Sequence, residues 1–270
     1  MAIKTRKAAV AGYFYPASKT QLVREISGFL DQVPDQHGDG ALRGLIVPHA
    51  GYRYSGQIAA YAYALLRANP GRWKKIVAIG PAHTLLTHRL AADPNDYWET
   101  PMGKVKILHD GFPVQEAAHI QEHCLEVQLP FLQHVLGDFR FLPLIGGRID
   151  PRACCHAIES ALDEESLLLI SSDLSHYYDY ETASKLDQAT CRAIEELDVE
   201  FMERHGVACG KIPILIVMEI ARRNGWSCRL LQYRNSGDVS RDQESVVGYG
   251  SFAFFQTKKE VIPKPRQPAS

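Results

Sequence analysis

The sequence predicts an α/β protein, a three-layer α/β/α sandwich with a mixed, largely parallel central sheet. Two observations carry this reading. Short apolar runs such as LRGLIVP and SLLLI lack polar alternation, as strands covered on both faces do, and they alternate with segments of helical periodicity. Elsewhere, near the middle and the end of the chain, strand-like runs follow one another without an intervening helix, which adds antiparallel pairs.

In chain order, Leu22, Val23, Ile26, Phe29, Leu30 and Val33 form one apolar face, so residues 18–33 read as a helix. The polar DQHGDG turn leads into the strand LRGLIVP, a helix over 57–67 and the strand KKIVAIGP. A strand pair is expected at 89–92 and 104–108, then helices at 111–118 and 123–136 and the strand FRFLPLIGG. A helix over 151–162 precedes the strand SLLLISS, helices follow at 182–197 and 213–224, and RLLQYRNSGD and ESVVGYGSFAFF are the last strands. Residues 1–258 are expected to form one domain, and 259–270, rich in proline and charge, a flexible tail.

Hydrophobic residues make up 46% of the 270 and charged residues 23%, ample for a sizeable core. With 30 Lys plus Arg against 31 Asp plus Glu, no overall field recruits nucleic acid or an anionic membrane. There is neither a secretory leader pattern nor an apolar run of the roughly 20 residues a bilayer requires. Six cysteines without a CxxC pair indicate reduced thiols, and a cytoplasmic location is expected.

The chemistry gathers at strand ends. His49 follows the first buried strand, His83 the second, and Asp173 and His176 the fourth, while Asp238 closes the NSGD turn after a later one. Parallel neighbours would bring these groups to one edge of the sheet, where open α/β folds bind their ligands. Two histidines and a carboxylate suit ferrous iron with open positions, and the same donors suit zinc. Polar residues also end strands merely to cap backbone groups, and NSGD has the composition of an ordinary turn. His123 and Glu126, three apart on the expected helix, would share a face toward the pocket, and Tyr52 and Tyr54 beside His49 could line it. Cys209 reads as a small buried hydrophobe, although a thiol ahead of a helix can be acidified. Phosphate-binding glycine loops and the GxSxG elbow are absent.

The motifs PHAGYRYSG, GPAH, EHCLEVQLPFL, SSDLSH and NSGD, in this order over nearly the whole chain, resemble those of the Memo family, whose bacterial and archaeal members are called AmmeMemoRadiSam system protein B. That family is similar in fold to the class III extradiol ring-cleaving dioxygenases. The resemblance implies His49, His83 and Asp238 as metal ligands, His176 as the acid/base and Asp173 in the same pocket. It implies Fe(II) first, with Cu or Zn as substitutes. Animal members carry a cysteine where this sequence aligns Asp238, so animal signalling roles do not transfer. The expected function is an oxygen-dependent oxidoreductase acting on a diol-like or chelating small molecule. The alternatives are a non-catalytic metal-binding or peptide-binding module on the same fold and, third, a zinc hydrolase with a metal-activated water.

Overall fold

The computed structural model describes residues 3–36, 38, 40–68 and 71–256, so the expected tail at 259–270 lies outside the described residues. Its elements in chain order are β1 (Thr5–Arg6), α1 (Lys19–Asp31), β2 (Ala41–Val47), α2 (Tyr52–Arg67), β3 (Lys75–Pro81), β4 (Ala91–Ala92), β5 (Tyr97–Thr100) and β6 (Gly103–Ile107). There follow α3 (Leu129–Leu136), β7 (Arg140–Gly146), α4 (Pro151–Ala161), β8 (Ser166–Ser171), β9 (His176–Tyr178), α5 (Tyr180–Glu195), α6 (Val199–His205) and α7 (Lys211–Asn224). The chain finishes with β10 (Trp226–Asn235), α8 (Gly237–Ser240) and β11 (Val246–Gln256).

One sheet runs in the order β1-β5-β6-β7-β3-β8-β2-β11-β10. Its centre, β6 through β2, is parallel, whereas β11 pairs antiparallel with both β2 and β10. The expected mixed sandwich is the observed one, and alternation within the buried strands builds its two cores. Leu45, Val47, Ile76, Ala78, Leu167 and Leu169 face the α1, α2 and α3 side, where α1 contributes Leu22, Ile26 and Leu30. Ile46, Val77, Ile79, Leu168 and Ile170 face the other side, packed against α4 to α7. Both faces are thus covered, which is why these strands read as continuous apolar runs. Among the described residues, no helix is long and apolar enough to cross a membrane.

Three local expectations are corrected. β4 and β6 do not pair with each other: β4 joins β7, and β6 forms a hairpin with β5, whose YWET alternates intermediate and buried positions. Residues 111–118 hold only a single 3₁₀ turn, Glu116–Ala118, in a stretch opened by Gly111 and Pro113. Residues 123–136 are not one helix either. A 3₁₀ turn, Glu126–Gln128, leads into α3, and Pro130, which cannot donate to a preceding turn, sits in its first turn.

Because β3, β8 and β2 are adjacent and parallel, with Ile79 beside Ile170 and Val47 beside Ser171, the loops after all three leave the sheet at one edge. That edge carries His49, His83 and Asp173.

Candidate metal centre

His49 is 2% exposed, and its ring is fixed at the far nitrogen: Nδ1 lies 2.9 Å from Ser171 Oγ. A chain of buried hydrogen bonds sets which atom carries the proton. The Gln128 amide nitrogen faces the carbonyls of Pro48 at 3.0 Å and Cys124 at 3.3 Å, so it must be the NH₂ end; Tyr63 donates its hydroxyl to Gln128 Oε1 at 2.7 Å. Gln128 Nε2 also donates to Ser171 Oγ at 2.8 Å, and Ser171 gives its one proton to the Cys124 carbonyl at 2.7 Å. Ser171 is thereby left an acceptor for His49 Nδ1–H, and His49 Nε2 keeps its lone pair. Burial, and then the neighbouring His123, His83 and His176, hold this imidazole well below its usual pKa, so it stays neutral, as a metal ligand must be.

His83 is oriented by a different acceptor in the same manner. Glu122, 1% exposed, takes His83 Nδ1 at 3.0 Å and the His83 backbone N–H at 2.8 Å, again leaving Nε2 free. The same carboxylate accepts the backbone N–H of His123 at 3.0 Å and of Cys124 at 3.3 Å, and lies 3.3 Å from His123 Nδ1. Burial alone would raise its pKa, but the hydrogen bonds and charge of His83, joined by the charge of His123, bring it down to about 2. The close fit is visible at Gly80, where a Cβ would overlap Cys124 Sγ.

The third donor beside these rings is Cys209. Its Sγ lies 3.3 Å from His49 Nε2 and accepts the Asp173 backbone N–H at 3.2 Å. It sits just ahead of α7, on a turn drawn against the end of β8 by Gly210 N–H donating to Ser172 Oγ and Cys209 N–H donating to the Asp173 carbonyl. One ligand atom each from His49, His83 and Cys209 lies within 4.8 Å of the others. Burial, reinforced by the Asp173 charge, pushes the free thiol up to about 12, so a bound cation is what would convert it to thiolate. His83, Glu122 and His123 likewise bring ligand atoms within 4.8 Å of one another, using the carboxylate that already orients both rings.

These residues open on a cavity of about 550 Å³ walled by Phe14, Tyr177, Val247 and Tyr249. Phe14 comes from the N-terminal segment and packs on His123, with ring centroids 4.8 Å apart. Asp173 and His176 both line this cavity, as expected. Asp173 Oδ1 accepts the His49 backbone N–H at 2.7 Å; burial lifts its pKa to about 7 against the pull of that bond. His176 Nδ1 donates to the Leu174 carbonyl at 2.9 Å, leaving Nε2 as an acceptor, and burial holds the ring below its usual pKa.

Other expected site residues fall elsewhere. Asp238 is exposed on α8, where it accepts the Tyr180 hydroxyl at 2.8 Å and the Asn235 N–H at 3.1 Å; it belongs to neither ligand group nor the cavity wall. Its oxygens close the NSGD turn. Tyr52 lies in the core, 2% exposed, with its hydroxyl on the Val127 carbonyl and its ring against Phe131, so it is not pocket lining. Tyr54, beneath the Arg53 guanidinium, is also absent from the cavity wall. His123 does line the cavity, but Glu126 points away, because the two do not share a helix. Glu126 pairs with Arg6 at 2.6 Å and accepts from Ala9 N, Val10 N and the Tyr15 hydroxyl, strapping the N-terminal segment in place. Sequence reasoning missed Glu122, Gln128 and the placement of Cys209 beside His49. The signal for the first two was that Glu122 and Gln128, with His123 and Glu126, are the polar residues of the mainly apolar EHCLEVQLPFL.

Comparison with known proteins agrees with the family resemblance. The model of the family Memo, described as Memo-like protein, matches residues 6–253. The chain is 37% identical over 264 residues to a MEMO1 family protein of Thermoplasma acidophilum, covering 91% of this chain and 97% of that one. A Thermoplasma volcanium MEMO1 family protein is also 37% identical, with 91% and 97% covered. One from Methanobrevibacter smithii is 34% identical, with 92% of this chain and 99% of that one covered. With the family model spanning most of the sheet and relatives matched nearly end to end, the chain belongs to the Memo family.

Proposed function

We propose that the protein binds a first-row transition ion through His49, His83 and Cys209 and uses it in an oxygen-dependent oxidation of a small chelating substrate. One observation carries the reading: two imidazoles have their Nδ1 atoms fixed by buried acceptors, and ligand atoms of both rings gather with a thiol within 4.8 Å. Imidazole and thiolate suit iron, copper and zinc and disfavour magnesium and calcium. Iron(II) stands first for the oxygen chemistry; a thiolate in place of the expected Asp238 carboxylate strengthens copper as the substitute. When bound, the ion supplies charge stabilisation and open coordination positions for substrate.

The surrounding side chains do the rest. His176, neutral with Nε2 unprotonated, takes a proton from a bound hydroxyl and returns it later. Asp173, at about 7, is poised to hold a proton near neutrality while its oxygen fixes the His49 backbone. Phe14, Tyr177 and Tyr249 offer flat walls, and among the described residues no lysine or arginine lines the cavity, which favours a neutral planar substrate over a carboxylate or phosphate.

The test is element-resolved mass spectrometry on protein purified without oxygen or chelator. Near-stoichiometric metal is expected in wild type and Asp238→Asn, and loss in His49→Ala and Cys209→Ala. Metal kept in Cys209→Ala but lost in Asp238→Asn would return the carboxylate to the site. Oxygen uptake with a panel of diols tests turnover. A second reading, a binding module without turnover, draws on Tyr177, which lines the cavity yet is 77% exposed; bound metal with no oxygen uptake would support it.

A further inference from the structure

Asp187 on α5 is a fully buried carboxylate that the site described above does not use. Its partners are neutral: Oδ1 accepts the Ser175 backbone N–H at 2.9 Å and Oδ2 the Tyr233 hydroxyl at 2.9 Å. Burial raises its pKa and these hydrogen bonds pull it back. An internal charge without a cationic partner is costly to hold, so its retention calls for a reason beyond packing.

The neighbouring strand is shaped to admit it. A Cβ on Gly248 would overlap the Asp187 carboxylate, so β11 passes this point only as glycine. The same Gly248 accepts the Leu174 N–H at 2.8 Å and donates to the Ser175 carbonyl at 2.9 Å, and β9 pairs His176 with Val247. The backbone of residues 174–176 is therefore clamped from two sides, by Gly248 on β11 and by Asp187 on α5. What that clamp sets is the Leu174 carbonyl, the acceptor of His176 Nδ1–H at 2.9 Å. A carbonyl can only accept, so its position decides that the neutral ring carries its proton on Nδ1 and its lone pair on Nε2.

We propose that Asp187 is a positioning residue for His176, holding the 174–176 backbone so that the ring is kept in the one tautomer able to act as a base toward the cavity. The idea rests on the reading of His176 as the proton-handling group. Tyr233 and Gly248 belong to the same device, the first steadying the carboxylate and the second leaving room for it.

The experiment is nitrogen-resolved NMR of the His176 ring in the full chain, with metal removed by chelator and no substrate present, so the result does not depend on whether the protein binds metal or turns over. Wild type should show one neutral tautomer protonated at Nδ1. Asp187→Asn, whose amide oxygen still accepts from Ser175, should keep it. Asp187→Ala should mix the two tautomers and speed exchange of the Ser175 amide about tenfold or more, while the His49 ring signals stay as in wild type. Should the alanine variant fail to fold, Asp187→Ser, too short to reach the Ser175 amide, replaces it with the same expectation. A single unchanged tautomer in either folded variant overturns the proposal, as does mixing that appears equally at His49.

Discussion

Replacing Glu122 by glutamine isolates what its charge contributes to the fold. In the native chain one carboxylate receives the backbone N–H groups of His83, His123 and Cys124 and the ring of His83. An amide keeps one oxygen for this cluster but sets an NH₂ against another N–H, leaving at least one buried donor unpaired. The magnitude follows from linkage. A carboxylate brought from 4.5 to about 2 on folding stabilises the native state by about 3 kcal/mol at neutral pH. Because the folded pKa is the depressed one, that stability is fully present above the unfolded value near 4.5 and is lost as pH falls toward 2. Urea unfolding of metal-free wild type and Glu122→Gln should therefore differ by about 3 kcal/mol from pH 7 to about 5, with the gap closing steadily below. Other carboxylates titrate in both proteins and cancel in the difference. A gap that stays constant between pH 7 and pH 3 would refute the reasoning, since it would mean that shape rather than charge accounts for the loss.

Other perturbations probe neighbouring parts of the same architecture. Ser171→Ala removes the acceptor behind His49 and should weaken metal binding about 10- to 100-fold in chelator competition, in line with lost outer partners of liganding histidines. Arg6→Met leaves Glu126 buried without its cation and should destabilise the chain by about 3–5 kcal/mol in chemical denaturation, the strap of residues 6–15 opening first in hydrogen exchange. Gly80→Ala forces a methyl group onto Cys124 and should cost about 1–3 kcal/mol, and Cys124→Ala in the same chain should recover part of it.

Parallel strands made much of the site readable in advance. His49, His83 and Asp173 each follow a buried apolar run, and parallel packing of β2, β8 and β3 is enough to bring them together. Cys209 was not legible in the same way. It follows no strand, and only the docking of the 206–210 turn onto Ser172 brings it to His49. Asp238 lies elsewhere for a different reason: β10 runs in the same direction as β2 and ends at the same edge, but it is the outermost strand, two places from β2, and the residue closes a local turn there instead. Glu126 was misplaced because a spacing of three was read on a helix, whereas the backbone between His123 and Glu126 is irregular and Pro130 limits where α3 begins. Glu122 lies in that same irregular stretch, where no periodicity exists to be read.

The cavity draws part of its wall from Phe14 and part from Val247 and Tyr249, so nearly the whole chain separates these two contributions in sequence. β11 must be inserted between β2 and β10 before Tyr249 reaches the histidines. During synthesis, therefore, a chain that has exposed His49, His83 and Cys209 outside the ribosome still lacks part of the wall of its site, and its imidazoles and thiol face open water. Loading with a redox-active ion at that stage would expose the ion and the thiol to adventitious oxidants. The wiring of the fold makes closure of the pocket a late event, and a metal held there as proposed would be shielded only once β11 is in place.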